Sequence, residues 1–345
     1  MRPRFIFLLS LLQLLPMTAM AQVEQAKDSR SFTFYMENDC FGGTDQHYTN
    51  GLRLTWISPD LTEYREDSRL AKLSYSLIRR LPFVNKPGFQ PFISISVGQN
   101  MYTPEDIKRS ELIEDDRPYA GVTYFAIGFH SKSSRRMDTL EFDLGIVGPH
   151  SYADEYQETV HEWIDSTDPQ GWDNQLRDEP ILEVFYERKW KLLQSRVGRG
   201  FGYDMIPHLG GGVGNAYTYA HAGAGVRFGW NLPSDFGTLL SRPGCDTNAA
   251  FDERDPRFFR RHRLGIHVFA AVDGRGVLRN IFLDGNTFRD SHSVDKKPFV
   301  ADFLAGVGLI VGRFKISYAH VYRTKEFETQ KDEQVFGSIT LSFSY

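Results

Sequence analysis

Cysteine is almost missing from this 345-residue chain. Its two residues, Cys40 and Cys245, could close a single bridge in an oxidising compartment, so a disulfide framework is excluded. Long apolar runs are as scarce. The one that stands out, Phe5 to Leu15, follows Arg2 and Arg4 and precedes Ala19-Met20-Ala21. That layout predicts a secretory signal peptide over 1–21, cleaved after Ala21, with a mature chain over 22–345. After residue 21 no stretch approaches the ~18 apolar residues of a spanning helix, so the mature chain is either soluble and exported or crosses a membrane as strands. A dominant charge is also missing: 40 basic against 44 acidic residues leave a net charge of −4, which speaks against nucleic acid as a partner. Serine-hydrolase, P-loop and zinc-protease signatures are absent, and "GGGVGNAY" (210–217) lacks the lysine and helix of a nucleotide loop, leaving strand packing or curvature as its better account.

What the chain does have is aromatic residues (14%), 30 glycines and a period-two alternation that recurs almost throughout. Segments such as "SFTFYM" (31–36), "LRLTWI" (52–57), "PFISISVGQ" (91–99), "GVTYFAIGF" (121–129) and "TLEFDLGIVG" (139–148) open a series of about a dozen strands, several ~10 residues long. The final segment, "VFGSITLSFSY" (335–345), alternates to an aromatic last residue, as in bacterial outer-membrane barrels. The fold class expected is all-β: a transmembrane antiparallel β-barrel of about 12 strands with short helices in its extracellular loops. A secreted β-sandwich is the soluble alternative. Long loops over 58–90, 100–118, 149–179, 231–262 and 274–298 are expected on the extracellular side. Helical spacing appears in two of them, at 68–81 and at "DEYQETVHEWI" (154–164).

The second helix carries the sharpest chemical candidate. Gln157, Val160, His161 and Ile164 share a face, placing an imidazole and an amide one turn apart. His161 suits a general base near neutral pH, and Gln157 suits holding a carbonyl or orienting the ring. The stretch "ENDCFGGTDQHYTNG" (37–51) crowds oxygen side chains between two strands. Asp39, Asn38 and the backbone about Gly42 and Gly43 are plausible ligands for a hard cation, although Asx-turn capping accounts for the same residues. Lys108-Arg109 could hold phosphate, and Asp116-Arg117 could form an ion pair fixing a loop to the barrel mouth.

In order along the chain, "ENDCFGGTDQHYTNGLRL" (37–54), "DDRPYAG" (115–121), "LEFDLGIVGPHSYADEYQETVH" (140–161) and "GWDNQL" (171–176) resemble the outer-membrane lipid A 3′-O-deacylases. The resemblance implies an outer-membrane barrel with its active site near the extracellular rim, and Ca²⁺-dependent hydrolysis of the ester holding the 3′-linked acyloxyacyl group on lipid A. Carried over by position, Asn38 and Asp39 match the calcium site, Thr49 a catalytic-site threonine, Lys108 and Arg109 a substrate-binding basic pair, and Gln157 and His161 the Q-x-x-x-H pair. The family's acidic residue after the histidine falls on Thr167 here, leaving Asp168, or Asp165, to supply that ligand. The partners implied are lipopolysaccharide as substrate, outer-membrane lipids as surroundings and the barrel assembly machinery during biogenesis, with the chain a monomer. Two other readings are an outer-membrane phospholipase with a serine nucleophile, and a porin or structural barrel.

Overall fold

The computed structural model describes residues 28–43, 46–62, 88–197, 200–238, 240–245, 248–250, 252, 255–258 and 264–345. The expected signal peptide and the helix expected at 68–81 lie outside them. The alternating segments form β1 (Ser31–Asn38), β2 (His47–Ile57), β3 (Gln90–Thr103), β4 (Ala120–Lys132), β5 (Arg136–Val147), β6 (Glu179–Trp190), β7 (Leu192–Val197), β8 (Phe201–Gly214), β9 (Tyr217–Trp230), β10 (Leu264–Asn280), β11 (Phe299–Val311), β12 (Phe314–Arg323) and β13 (Gln334–Ser344). Each pairs antiparallel with its sequence neighbour, and β1 pairs with β13. β6 and β7 are one strand bent at Lys191, since both pair with β8. The result is a closed barrel of twelve staves, in which the β7 extension pairs on one side, with β8.

Alternation sorts side chains into a polar lumen and an apolar exterior, the inverse of a soluble sandwich. On β1, Thr33, Tyr35 and Glu37 point inward and are at most 1% exposed, while Phe32 is 43% exposed on the outside. Leu54, Val97, Phe125, Leu144, Val226 and Val268 continue the outer apolar surface. Inside, Arg53 makes a two-pronged hydrogen bond to Glu141 at 3.0 Å, and Arg323 and Arg275 share Asp302. Among the described residues no helix is long and apolar enough to cross a membrane.

Strand directions fix which loops share an end. Arg30 and Tyr345 exchange backbone hydrogen bonds at the end we call proximal. The connections after β1, β3, β5, β8, β10 and β12 lie at the opposite, distal rim. Those after β2 and β9 are proximal, so two loops expected on the extracellular side, 58–90 and 231–262, belong to the other end. The described residues of the second fold into the lumen rather than outward. Lys315 and Arg227 bind Asp235 at 2.7 and 2.6 Å, the Ser241 N–H donates to Glu37, and the Tyr35 hydroxyl donates to the Cys245 carbonyl. Its charges neutralise lumen charges, and Phe236, Leu240 and Cys245 are buried. At the distal mouth a short helix at Ile281–Asp284 buries Phe282 against Tyr102, ring centroids 4.1 Å apart. A cavity of about 110 Å³ remains between the plug and that helix.

Candidate active site

Asn38 ends β1 and caps the 3₁₀ turn Asp39–Gly42, its side-chain oxygen accepting from the Cys40 N–H at 2.8 Å. Gly43 follows with φ 80°, a left-handed conformation that glycine adopts without Cβ strain. The turn folds back on β13, burying the Asp39 carboxylate, which accepts a hydrogen bond from the Gln46 N–H. The chain then enters β2, where Thr49 is an extra residue: Tyr48 pairs with Tyr102 and Asn50 with Met101. This bulge frees Thr49 from the alternation, and its hydroxyl meets that of Thr103 at 2.7 Å.

Strand parity places these groups. Glu37, Tyr102 and Tyr124 face the lumen, so Asn38, Asn50, Met101, Thr103 and Gly121 lie on the outer face of the wall. Helix α1 (Ala153–Ile164) covers that face. A Cβ on Gly121 would fall on the Ala153 Cβ and the Ser151 Oγ, so only glycine lets the helix start lie directly on β4. Gln99 and Thr123, also outward, donate to the Ser151 carbonyl at 2.7 and 2.8 Å. From Ala153 the buried face of α1 runs one residue per turn through Gln157 and His161. Val160 is only half-buried and Ile164 is 63% exposed, as is neighbouring Trp163 at 66%, so the apolar half of the expected helix face points away from the wall.

Past α1 the chain turns through Asp165 in the left-handed region and returns beneath the helix. His161 Nδ1 is hydrogen-bonded to the Thr167 carbonyl. A carbonyl only accepts, so Nδ1 carries the proton and Nε2 is the basic nitrogen. Trp172 Nε1–H donates to Gln157 Oε1 at 2.8 Å, and its ring packs on Tyr119. The 104–119 loop is stitched to this return: Gln170 N–H donates to Ile107 O, Asn174 Nδ2 to Ser110 O, and Leu176 N–H to Tyr119 O. Lys108 and Arg109 are exposed on that loop beside Gly171, where a Cβ would press on the Arg109 carbonyl.

The candidates thus gather at one rim, in two halves. Gln157, His161 and the Lys108-Arg109 loop form one body with the 167–176 return. Asn38, Asp39 and Thr49 belong to the β1–β2 end, joined to the first half through Thr103 and β3. Asp168 is exposed, one residue beyond the carbonyl that holds His161. Asp116 and Arg117 are not each other's ion pair. Asp116 accepts from the Glu105 and Arg117 backbone N–H groups, and burial pushes its carboxyl up. The buried Arg117 guanidinium pairs with Glu326 at 3.1 Å, locking the 104–119 loop to the β12–β13 connection. Burial alone would raise the Glu326 carboxyl, but Arg323 and Arg117 beside it outweigh burial and hold it below the usual carboxylate range. Cys40 is exposed at the rim and Cys245 buried in the plug, and the two do not form a disulfide.

For a hard cation the turn offers the Asp39 carboxylate, the Asn38 amide oxygen and backbone carbonyls, an all-oxygen set that suits calcium. The other candidate cluster of metal-ligating side chains among the described residues is Glu187, His208 and His221, in the lumen. There the Arg242 guanidinium already lies within 3.5 Å of His208 Nε2 and binds Asp273, so a cation serves the cluster from within the chain. Sequence patterning missed Thr103 and Gly121, whose roles come from cross-strand pairing, and left Trp172 as part of a quoted block without a task.

The family model of the outer membrane protein LpxR matches residues 5–345. This chain belongs to the LpxR family. It is accordingly an outer-membrane β-barrel, as its apolar exterior requires. Among solved structures, LpxR from Salmonella typhimurium superposes with a TM-score of 0.69 at 18% identity, covering 91% of this chain and 99% of that one. At that identity the likeness concerns the fold. The β domain of the Bordetella autotransporter Brka follows with a TM-score of 0.42 at 9% identity, covering 92% of this chain and 99% of that one. No curated protein matches the chain by sequence.

Proposed function

We propose that this LpxR-family barrel is a hydrolase that removes the 3′-linked acyloxyacyl group from lipid A in a Ca²⁺-dependent reaction. The observation that carries this reading is the side of the wall on which the polar groups sit. Thr49, Thr103, Gln157 and His161 lie outside the lumen at the distal rim, where α1 covers the wall; in this reading they form the substrate cleft, at the level where an outer-leaflet lipid would present its ester. A channel would line its lumen instead, and here the lumen is plugged.

In this reading His161 Nε2 takes a proton from a water molecule that attacks the ester carbonyl, while the Thr167 carbonyl holds the ring in place through Nδ1. The bond between the acyl carbon and the sugar's oxygen then breaks, and the proton returns from His161 to that departing alkoxide. Asp39 and Asn38 would hold calcium, which when bound supplies positive charge to the carbonyl oxygen. Asp168 is offered as a further ligand, and Lys108 and Arg109 would anchor a glucosamine phosphate. Nucleophilic catalysis by a serine has no comparable support, because among the described residues the ring of His161 is hydrogen-bonded to the Thr167 carbonyl and to no serine side chain.

Mass spectrometry of lipid A from outer membranes containing the protein tests this. The 3′-acyloxyacyl mass should be lost with calcium and retained after chelation. His161→Ala should slow the loss by about 10²–10⁴-fold while the barrel keeps its heat-modifiable migration. Unchanged lipid A with correctly inserted wild-type protein would refute the proposal.

A further inference from the structure

Gln157 is 2% exposed, and its amide is half satisfied. Oε1 accepts from Trp172, whereas Nε2 is buried with no hydrogen-bond partner among the described residues. Which end is oxygen follows from chemistry, since the indole N–H is only a donor and must meet Oε1. Trp172 is itself immobilised. It is 6% exposed, packs with Tyr119, Met101, Ile107 and Ala153, and begins a 3₁₀ turn whose preceding Gly171 leaves no room for a Cβ against Tyr119. An unpartnered buried N–H₂ group is costly and persists where a ligand completes it.

We infer that Trp172 is a positioning residue: by binding Oε1 it turns the Gln157 Nε2–H₂ donor toward the cleft, where it donates to the oxyanion that develops on the ester carbonyl. This rests on the hydrolase reading above and assigns the amide one of that reading's two open tasks. Gln157 serves as a donor to the substrate oxygen and does not orient the His161 ring. Without the indole N–H, the amide keeps no hydrogen bond among the described residues to distinguish its two ends, and the acceptor end would face the oxyanion in a share of molecules.

Two substitutions separate the contributions. Trp172→Phe keeps an aromatic ring against Tyr119 and removes the N–H. Gln157→Glu keeps an acceptor for Trp172 and removes the donor. With purified protein and lipid A at saturating calcium, Trp172→Phe should lower kcat about 10-fold at nearly constant KM. Gln157→Glu should lower kcat about 10²–10³-fold, the usual loss for one oxyanion donor. The double variant should be no slower than Gln157→Glu alone, because the indole then has no donor to position. Unchanged kcat in Trp172→Phe, a loss confined to KM, or an equal loss in the Gln157→Glu background would overturn the inference. The Trp172 indole ¹⁵N–¹H resonance, identified by its disappearance in Trp172→Phe, should shift in Gln157→Leu independently of turnover. A wild-type protein that releases no acyl group would refute the hydrolase reading alone, whereas an unshifted resonance would refute the positioning role alone.

Discussion

Single side chains at the rim do their work through what they neutralise. Arg117 is 0% exposed, and two of its nitrogens have no hydrogen-bond partner among the described residues, so the bond to Glu326 at 3.1 Å is its main compensation. Because Glu326 is held below its unfolded range, near pH 4.3, its contribution to stability is fully present at neutral pH. That contribution is lost as the pH falls through the folded value. Glu326→Ala should therefore destabilise the folded rim by roughly 3–5 kcal/mol at pH 7, the cost of leaving a buried charge unpaired. The gap to wild type should close as acidification passes through the folded value, below the unfolded range. Limited proteolysis of the 104–119 loop across that range would show it; a gap independent of pH would contradict the assigned pairing. The same scale shows what patterning can and cannot see. The sequence DDRP announces a charged cluster, but the partner of Arg117 lies more than two hundred residues away, and adjacency pointed to Asp116 instead.

At the scale of elements, the decisive contact is α1 against β4. The spacing of Gln157 and His161 was legible from the chain, and the helix runs over Ala153–Ile164 as expected from 154–164. Its buried face was only half legible, because helical periodicity cannot say whether a polar or an apolar stripe meets the wall. Gly121 decides this by allowing Ala153 and Ser151 to touch β4 without an intervening side chain. Gly121→Ala should lift the helix start and move Gln157 and His161 relative to Thr49. A displacement near 1 Å can cost about 10²-fold in rate. Lipid A turnover should drop on that order while the barrel inserts and migrates normally. Full activity in this variant would mean that the helix contact does not set the site. The bulge at Thr49 belongs to the same scale: an extra residue is invisible until the β2–β3 register is known.

Across the whole molecule, twelve staves enclose a lumen that the β9–β10 connection enters from the proximal end and a short helix caps at the distal mouth. Closure of both ends predicts that the protein adds no steady conductance to a planar bilayer. Replacing residues 240–250 with a short Gly-Ser linker leaves Asp235 in place to compensate Lys315 and Arg227, and it should open a measurable conductance. Equal conductance in both proteins would show that the plug does not seal the lumen.

The chain alone determined the barrel class, the approximate stave number, the helix with His161 and the polar turn at Asn38-Asp39. Each is a local pattern: a period of two, a period of 3.6, or a cluster between strands. Tertiary structure alone decided that 231–262 turns inward from the proximal end, that Arg117 pairs with Glu326, that Trp172 holds Gln157, and that the candidate site lies outside the wall. All four depend on which strand crosses in which direction and which face closes inward, and a periodic sequence carries the alternation without saying which of its two faces is the inside.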